Sequence, residues 1–394
     1  MTEFSFSVPQ NIMVGPGTMD KVSELALKLN AGHALIISGP NLLKMGVVGR
    51  VSGALKSAGI ECSVFTDVEA NPSVATVEKA AEFFESEGAD MLIALGGGSP
   101  MDVAKAVGVV VKYGGSITQY EGAGKVPGPI IPLIAIPTTA GSGSEVTAFS
   151  VITDHARNYK LTVFSYELLP AYALLDPELL TTAPASVAAA CGIDAFIHAF
   201  ESYISRMASP FSEAMSEKAM ELIGGSIRRF VANRGDLEAA QNMLVGSLFA
   251  GIAFSFARLG NVHAMSHPIS AYYGVAHGVA NAVLLPVVVA YNSLADHGKY
   301  AKVYNYISPV KVYDYDFRPD MLEGAIRKLC ADIGIPDSLY SAISAADKTK
   351  TVSREDVIKN IPALSEDAMK SGNILSNPRS TLKGDIEKLY EMAL

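Results

Sequence analysis

Between Gly32 and Asp176, short apolar runs alternate with longer amphipathic stretches: HALIIS, NLLKMGVVGRVSGALKSAG, CSVFTD, VATVEKAAEFFESEG, DMLIALGGG, a further helical stretch, then PLIAIPT. Strands apolar on both faces, separated by segments of helical period, predict a parallel sheet covered on both sides. Beyond Pro184 the strand pattern stops. SPFSEAMSEKAMELIGGSIRRFVAN and DLEAAQNMLVGSLFAGIAFSFA are long stretches of helical period, and the C-terminal segment from Ser353 reads as two short helices around a turn containing Pro and Asn. The expected fold is an α/β domain over residues 1–183 followed by an all-helical domain over 184–394, with the boundary between Thr181 and Ala185. No internal repeat or low-complexity tract is visible.

A chain of 394 residues that is 49% hydrophobic can bury a large core, and its length suits two domains. Its longest apolar run, Val279 to Ala290, is interrupted by Asn281 and Pro286, so no membrane span is expected. The start MTEFSFSVPQ lacks the basic end and apolar core of a signal peptide, which points to the cytoplasm. A net charge of -9 without a basic run excludes nucleic acid and anionic membrane as expected partners. Cys62, Cys191 and Cys330 are scattered and form no CxxC pair, so neither a disulfide framework nor a thiolate metal site is expected.

The candidate chemistry concentrates in two places. In CGIDAFIHAFESYI, Asp194 and His198 are one helical turn apart and share a face. His263, His267 and His277 follow in NVHAMSHPISAYYGVAHGVANAV. Any one of these histidines alone is readable as a satisfied core residue. Together with Asp194 they point to a metal, because each buried imidazole would otherwise need its own polar partner. Asp194, His198, His263 and His277 form the expected ligand set. Three imidazoles and one oxygen suit Fe(II) or Zn(II), and the stability order of divalent ions favours zinc in competition.

The second place is ALGGGSPMDVAKAVGVVV, Ala94 to Val111. Three glycines after a strand allow a sharp turn and a close backbone approach, and Ser99, Pro100 and Asp102 fit the cap, first-turn and capping-box positions of the next helix. Free N–H groups at such a helix start suit a pyrophosphate. This is not the spaced GxGxxG fingerprint, and a plain tight turn is the bland alternative. IPTTAGSGSEVTAFSVIT, Ile136 to Thr153, adds hydroxyls and amides at the end of a parallel strand, which suit a dinucleotide or a loop with no ligand.

GGGSPMD, PTTAGSGSEVT, DAFIHAFESYIS, VHAMSHP and AHGVANA, in that order, resemble the motifs of the iron-dependent, or group III, alcohol dehydrogenases over essentially the whole chain. The resemblance implies a Rossmann-like N-terminal domain and a helical C-terminal domain of dehydroquinate synthase-like fold, with NAD(P) and Fe2+ meeting in the cleft. It implies the same four metal ligands, with His267 close to nicotinamide and substrate. It also implies cofactor contacts from Gly96, Gly97, Gly98, Ser99 and Asp102, from Thr138, Thr139, Ser142 and Thr147, from Lys160 to the ribose, and from Leu179 near the adenosine. The family forms dimers and larger homo-oligomers, and the apolar start FSFSVPQNIMVG suits an edge strand between subunits. His267 is readable as a proton relay or as a pocket-lining residue.

Two departures from the family pattern bear on specificity. Gly39 stands where many NAD-preferring members carry an Asp, which removes the main barrier to NADP; no basic residue replaces it, so NAD remains the expectation. In FSFARLGNVH, Phe256 and Arg258 stand where relatives commonly carry Asn and Gly. Phe149, Phe254 and Leu259 are the expected apolar walls of the substrate pocket. Arg258 either binds an anionic group on a short aldehyde, such as sulfoacetaldehyde, or faces away towards an acid. The expected activity is metal-dependent, NAD(P)-linked reduction of a small aldehyde or oxidation of its alcohol. A lyase or cyclase of the dehydroquinate synthase type is the alternative, but it predicts basic residues for a phosphorylated polyol that this chain lacks; a non-catalytic binding protein is the third class.

Overall fold

The computed structural model describes residues 8, 11–157 and 159–394. These divide into two compact units, one ending at Ala183 and the other running from Pro184 to Leu394. Of the N-terminal segment read as an edge strand, Phe4 to Ser7, Pro9 and Gln10 lie outside the described residues. The rest of it, Asn11–Val14, forms β1 and is an outer strand of the main sheet.

In the N-terminal unit the strands are β1, β2 (His33–Ser38), β3 (Glu61–Phe65), β4 (Met91–Gly96), β5 (Gly122–Ala123), β6 (Leu133–Pro137), β7 (Phe149–Asp154), β8 (Tyr159–Phe164) and β9 (Tyr172–Leu175). Six of them form one parallel sheet in the order β1-β9-β6-β4-β2-β3. Because side chains alternate along a strand, consecutive residues enter different cores. Leu35, Ile37, Leu92 and Ala94 pack on one face, while Ala34, Ile36, Ile93 and Leu95 pack on the other. This is why β2 and β4 read as continuous apolar runs.

A second sheet was not anticipated. β7 and β8 form an antiparallel ribbon, and β5 adds to β8 in parallel. The ribbon follows the small-residue loop directly and ties it to the helix Gly98–Tyr113 through Asp102, as described below.

Among its described residues the C-terminal unit contains helices and no strand. Three of its helices, within Ala185–Ile204, Leu237–Ala257 and His277–Ala295, are long and apolar enough to cross a membrane, which corrects the expectation drawn from uninterrupted runs. Between 67% and 83% of each apolar window is buried inside the protein, as expected of helices that are apolar all round and packed by other helices. The C-terminal segment follows its reading: the helices Arg354–Met369, with Pro362 inside it, and Lys383–Ala393 flank a turn that contains Asn377 and Pro378. Pro362 is exposed, so the carbonyl it leaves without a helical partner faces solvent rather than the core.

Candidate metal centre and cofactor turn

The helix Ala185–Ile204 begins after Pro184 and carries Asp194 and His198 on one buried face. Two further helices, Asn261–Tyr273 and His277–Asn292, bring His263 and His277 to the same point. One ligand atom from each of the four residues lies within 4.8 Å of all the others. Asp194, His198 and His263 are buried, and only His277 keeps an exposed edge, with 31% of its side chain accessible. Close helix packing makes this convergence possible: a Cβ on Gly278 would lie 1.9 Å from the Ala190 carbonyl oxygen.

The rings are layered around the point of convergence. His198 stacks on His263 with centroids 4.6 Å apart, and Phe254 covers His198 at 4.6 Å. His267 is half-buried beside the ligands, its ring 5.3 Å from His277 and 6.4 Å from His263. Burial raises the cost of ionising Asp194, but the rings of His198 and His277 and the bond to His263 outweigh it and hold the carboxyl well below its ordinary range. Burial alone would lower the affinity of His263 for a proton; its bonds to Asp194 and Glu201 reverse that and raise the ring to about 9.

Two buried residues that the sequence reading did not single out complete the centre. Asn281, one turn after His277, donates from Nδ2 to Asp194 Oδ1 at 2.6 Å and lies 3.0 and 3.2 Å from Nε2 of His263 and His277. Glu201 Oε2 lies 2.6 Å from His263 Nδ1. The signal for both was spacing: Glu201 continues the Asp194–His198 face by three residues, and Asn281 lies four residues after His277. One carboxylate oxygen and three imidazole nitrogens within this radius, with Nδ1 of His263 already committed to Glu201, fit a divalent cation of the iron or zinc type.

In the N-terminal unit, the turn after β4 meets the turn after β6. Gly96 has φ +149, and a Cβ there would come within 2.8 Å of the Pro100 ring. A Cβ on Gly97 would sit 3.1 Å from Thr139 Oγ1, and one on Gly98 3.0 Å from Ser142 Oγ. The Thr138 amide donates to the Gly96 carbonyl at 2.9 Å. The two motifs therefore form one backbone-lined surface.

The cap of the following helix differs from expectation. The helix starts at Gly98 with Gly97 as its cap and no side-chain cap bond. Ser99 donates to the Ala70 carbonyl at 2.8 Å instead. Asp102 faces inward, accepting from the Ser144 hydroxyl at 2.8 Å and the Val151 amide at 3.3 Å. Next to it, the fully buried Lys105 donates to the carbonyls of Thr147 and Phe149 and to Ser144. Burial lowers Lys105 to about 8 and raises Glu145 to about 7. Thr147 is bound into this same network, Lys160 Nζ donates to Asn71 Oδ1 at 3.0 Å, and Leu179, 2% exposed, belongs to the apolar core.

The predicted substrate-wall residues fall in both units. Phe149 opens β7 with its ring 4.8 Å from Phe164. Leu259 is buried, and Arg258 ends the helix Leu237–Ala257 at φ 63, ψ -177, a conformation that essentially only glycine adopts readily.

The model of iron-containing alcohol dehydrogenases matches residues 9–177, and that of the C-terminal region of Fe-containing alcohol dehydrogenases matches residues 188–394. The chain belongs to the iron-containing alcohol dehydrogenase family. It is 36% identical over 397 residues to the 1,3-propanediol dehydrogenase of Citrobacter freundii, covering 99% of this chain and 98% of that one. The crystal structure of a 1,3-propanediol oxidoreductase superposes with a TM-score of 0.92 at 35% identity, covering all of both chains. Sulfoacetaldehyde reductase from Bifidobacterium kashiwanohense, solved in complex with NAD+, gives a TM-score of 0.87 at 28% identity, with 100% and 99% of the two chains covered. The family membership agrees with the resemblance seen in the motifs and makes the protein an oxidoreductase of alcohols and aldehydes. The parallel sheet followed by a helical unit is the family's architecture.

Proposed function

We propose that this family member interconverts a short alcohol and its aldehyde with NAD as the hydride carrier, using a divalent cation held by Asp194, His198, His263 and His277. The observation that carries the reading is the convergence of one buried carboxylate and three imidazoles from three helices. When bound, an iron or zinc ion there supplies Lewis-acid polarisation of the substrate oxygen. Iron is the family's metal, and the same donors suit zinc. His267, beside the ligand rings but outside the set of four, holds or passes the alcohol proton.

The cofactor reading rests on the glycine turn. Gly96, Gly97, Gly98 and Ser99 offer backbone at a helix start, and Thr138, Thr139 and Ser142 offer hydroxyls beside it. Asp102 and Thr147 act by holding that loop, and Lys160 flanks the cofactor, whereas the Leu179 side chain is buried in the apolar core and does not reach it. NAD is favoured over NADP because no basic residue stands beside Gly39 to take a 2'-phosphate, and one structural relative was solved with NAD+. Phe254, whose ring covers His198, and the buried Leu259 supply apolar wall.

A second reading concerns the substrate's substituent. Arg258 keeps an arginine in a backbone conformation that costs about 1–3 kcal/mol outside glycine, and strain of that kind collects at functional sites. On this reading its guanidinium selects an aldehyde carrying a sulfonate, phosphonate or carboxylate.

The test is to load the purified protein with Fe(II) or Zn(II) and follow oxidation of NADH and NADPH against propanal, lactaldehyde, 3-hydroxypropanal and sulfoacetaldehyde. Faster turnover with NADH and at least one aldehyde is expected. No nicotinamide oxidation by protein holding one metal per chain would sink the first reading. Equal losses on charged and neutral aldehydes in Arg258→Ala would sink the second.

A further inference from the structure

We propose that Glu201 is a positioning residue of the metal centre, one that fixes the tautomer of His263 and so decides which ring nitrogen is offered to the cation. Glu201 is 2% exposed and, among the described residues, its ion pair is with the His263 ring. A carboxylate so placed needs hydrogen-bond donors. It finds three. Oε1 accepts from the Val262 amide at 2.7 Å, while Oε2 accepts from the His263 amide at 3.4 Å and lies 2.6 Å from His263 Nδ1.

The backbone around it is shaped for this contact. The helix Asn261–Tyr273 has glycine at its N-cap and no side-chain cap bond of its own. Glu201 reaches across from the helix Ala185–Ile204 to satisfy two of its first amides, placing negative charge where a helix start favours it. Gly260 leaves the room: a Cβ there would lie 2.9 Å from Glu201 Oε1 and 3.0 Å from Asn377 Oδ1.

The chemical consequence follows from donor and acceptor roles. An ionised carboxylate only accepts, so when the ring gives up one proton to take a cation, Nδ1 keeps its own and Nε2 is the nitrogen set free. Nε2 is the atom that faces Asp194, His277 and the Asn281 amide. Replacing Glu201 with Gln preserves size and the acceptor for Val262, but presents an amide N–H to Nδ1. That favours the opposite tautomer, with a proton on Nε2 where the cation has to bind. Glu201 thereby acts through His263 and not on the substrate.

The inference rests on the four-ligand metal reading, and the experiment separates the two. The full-length protein is stripped of metal and titrated with Zn(II) against a competing chelator. The ring tautomer of His263 is read by 15N NMR of histidine-labelled, metal-free protein above about pH 9, where the ring is neutral, and the Tm of the metal-free form is recorded. Wild-type protein that binds no Zn(II) overturns the metal reading itself. If wild type binds, Glu201→Gln is expected to weaken Zn(II) binding by about 10- to 100-fold and to move the His263 proton from Nδ1 to Nε2. Gly260→Ala, which displaces the carboxylate without removing it, is expected to weaken binding in the same direction and carries the test if Glu201→Gln does not fold. Unchanged Zn(II) affinity in the folded variant, or a weakened one with the tautomer unchanged, overturns the role assigned to Glu201.

Discussion

The candidate metal centre and the candidate cofactor turn are built by opposite means. In the helical unit, four side chains from three helices meet at one point, and the backbone contributes mainly by getting close, as at Gly278. In the N-terminal unit, Gly96, Gly97 and Gly98 remove side chains so that backbone is left to form the surface, while of the charged groups nearby Lys105 and Glu145 are buried and Asp102 is half-buried. Directed lone pairs suit a cation, which needs few donors at fixed distances. Undirected N–H groups suit a phosphate, which spreads its charge over several oxygens.

Breaking the side-chain site should have the largest effect. Asp194→Ala removes the single carboxylate of the ligand set and is expected to lower turnover on the order of a thousandfold, by loss of electrostatic stabilisation at the reacting oxygen. Metal content after dialysis and turnover with saturating NADH measure it; a variant keeping one metal per chain and more than a tenth of its activity would contradict the ligand assignment. Gly98→Val tests the backbone site. Its new side chain meets Ser142 Oγ at about the 3.0 Å of a bare Cβ, and KM for NADH should rise about tenfold or more with metal content unchanged. A shift in the aldehyde KM instead would place the cofactor elsewhere.

The buried charges behind the loop make a smaller, pH-dependent contribution. Burial holds Glu145 protonated up to about pH 7, above its ordinary 4.5, so its ionisation is easier in the unfolded chain and the folded state loses stability as pH rises from about 4.5 to 7. Lys105, which approaches it, and Asp102, bonded to Ser144, moderate the effect. Glu145→Gln should therefore stabilise the protein by about 1–3 kcal/mol at pH 8 relative to its effect at pH 5. Thermal melts at the two pH values decide it, and a pH-independent difference would refute it. Arg258→Gly should have the smallest effect on stability, a gain of about 1 kcal/mol from relief of the φ 63, ψ -177 conformation. If that variant melts lower than wild type, the arginine contributes more packing than its backbone costs.

Residue type and local period carried much of this into the sequence. Asp194 and His198 were legible because four-residue spacing on a helix puts both on one face. The glycine turn was legible because only a chain without side chains turns so closely after a strand. The capping role given to Ser99 and Asp102 did not survive, because cap preference is a local rule and both side chains found partners far along the chain, at Ala70, Ser144 and Val151. The β7–β8 ribbon escaped notice because its alternation of burial is short and adjoins a Ser- and Gly-rich loop.

By itself, the sequence determined the fold class, the family and the kinds of donor available for a metal, because these depend on periodicity and on residue chemistry within a turn or two. Only the tertiary structure decided that Glu201 and Asn281 join the metal centre, that Asp102 turns inward, and that Arg258 occupies a glycine-like conformation. Those outcomes depend on which long-range partner reaches a buried polar group first. No local pattern encodes that distance.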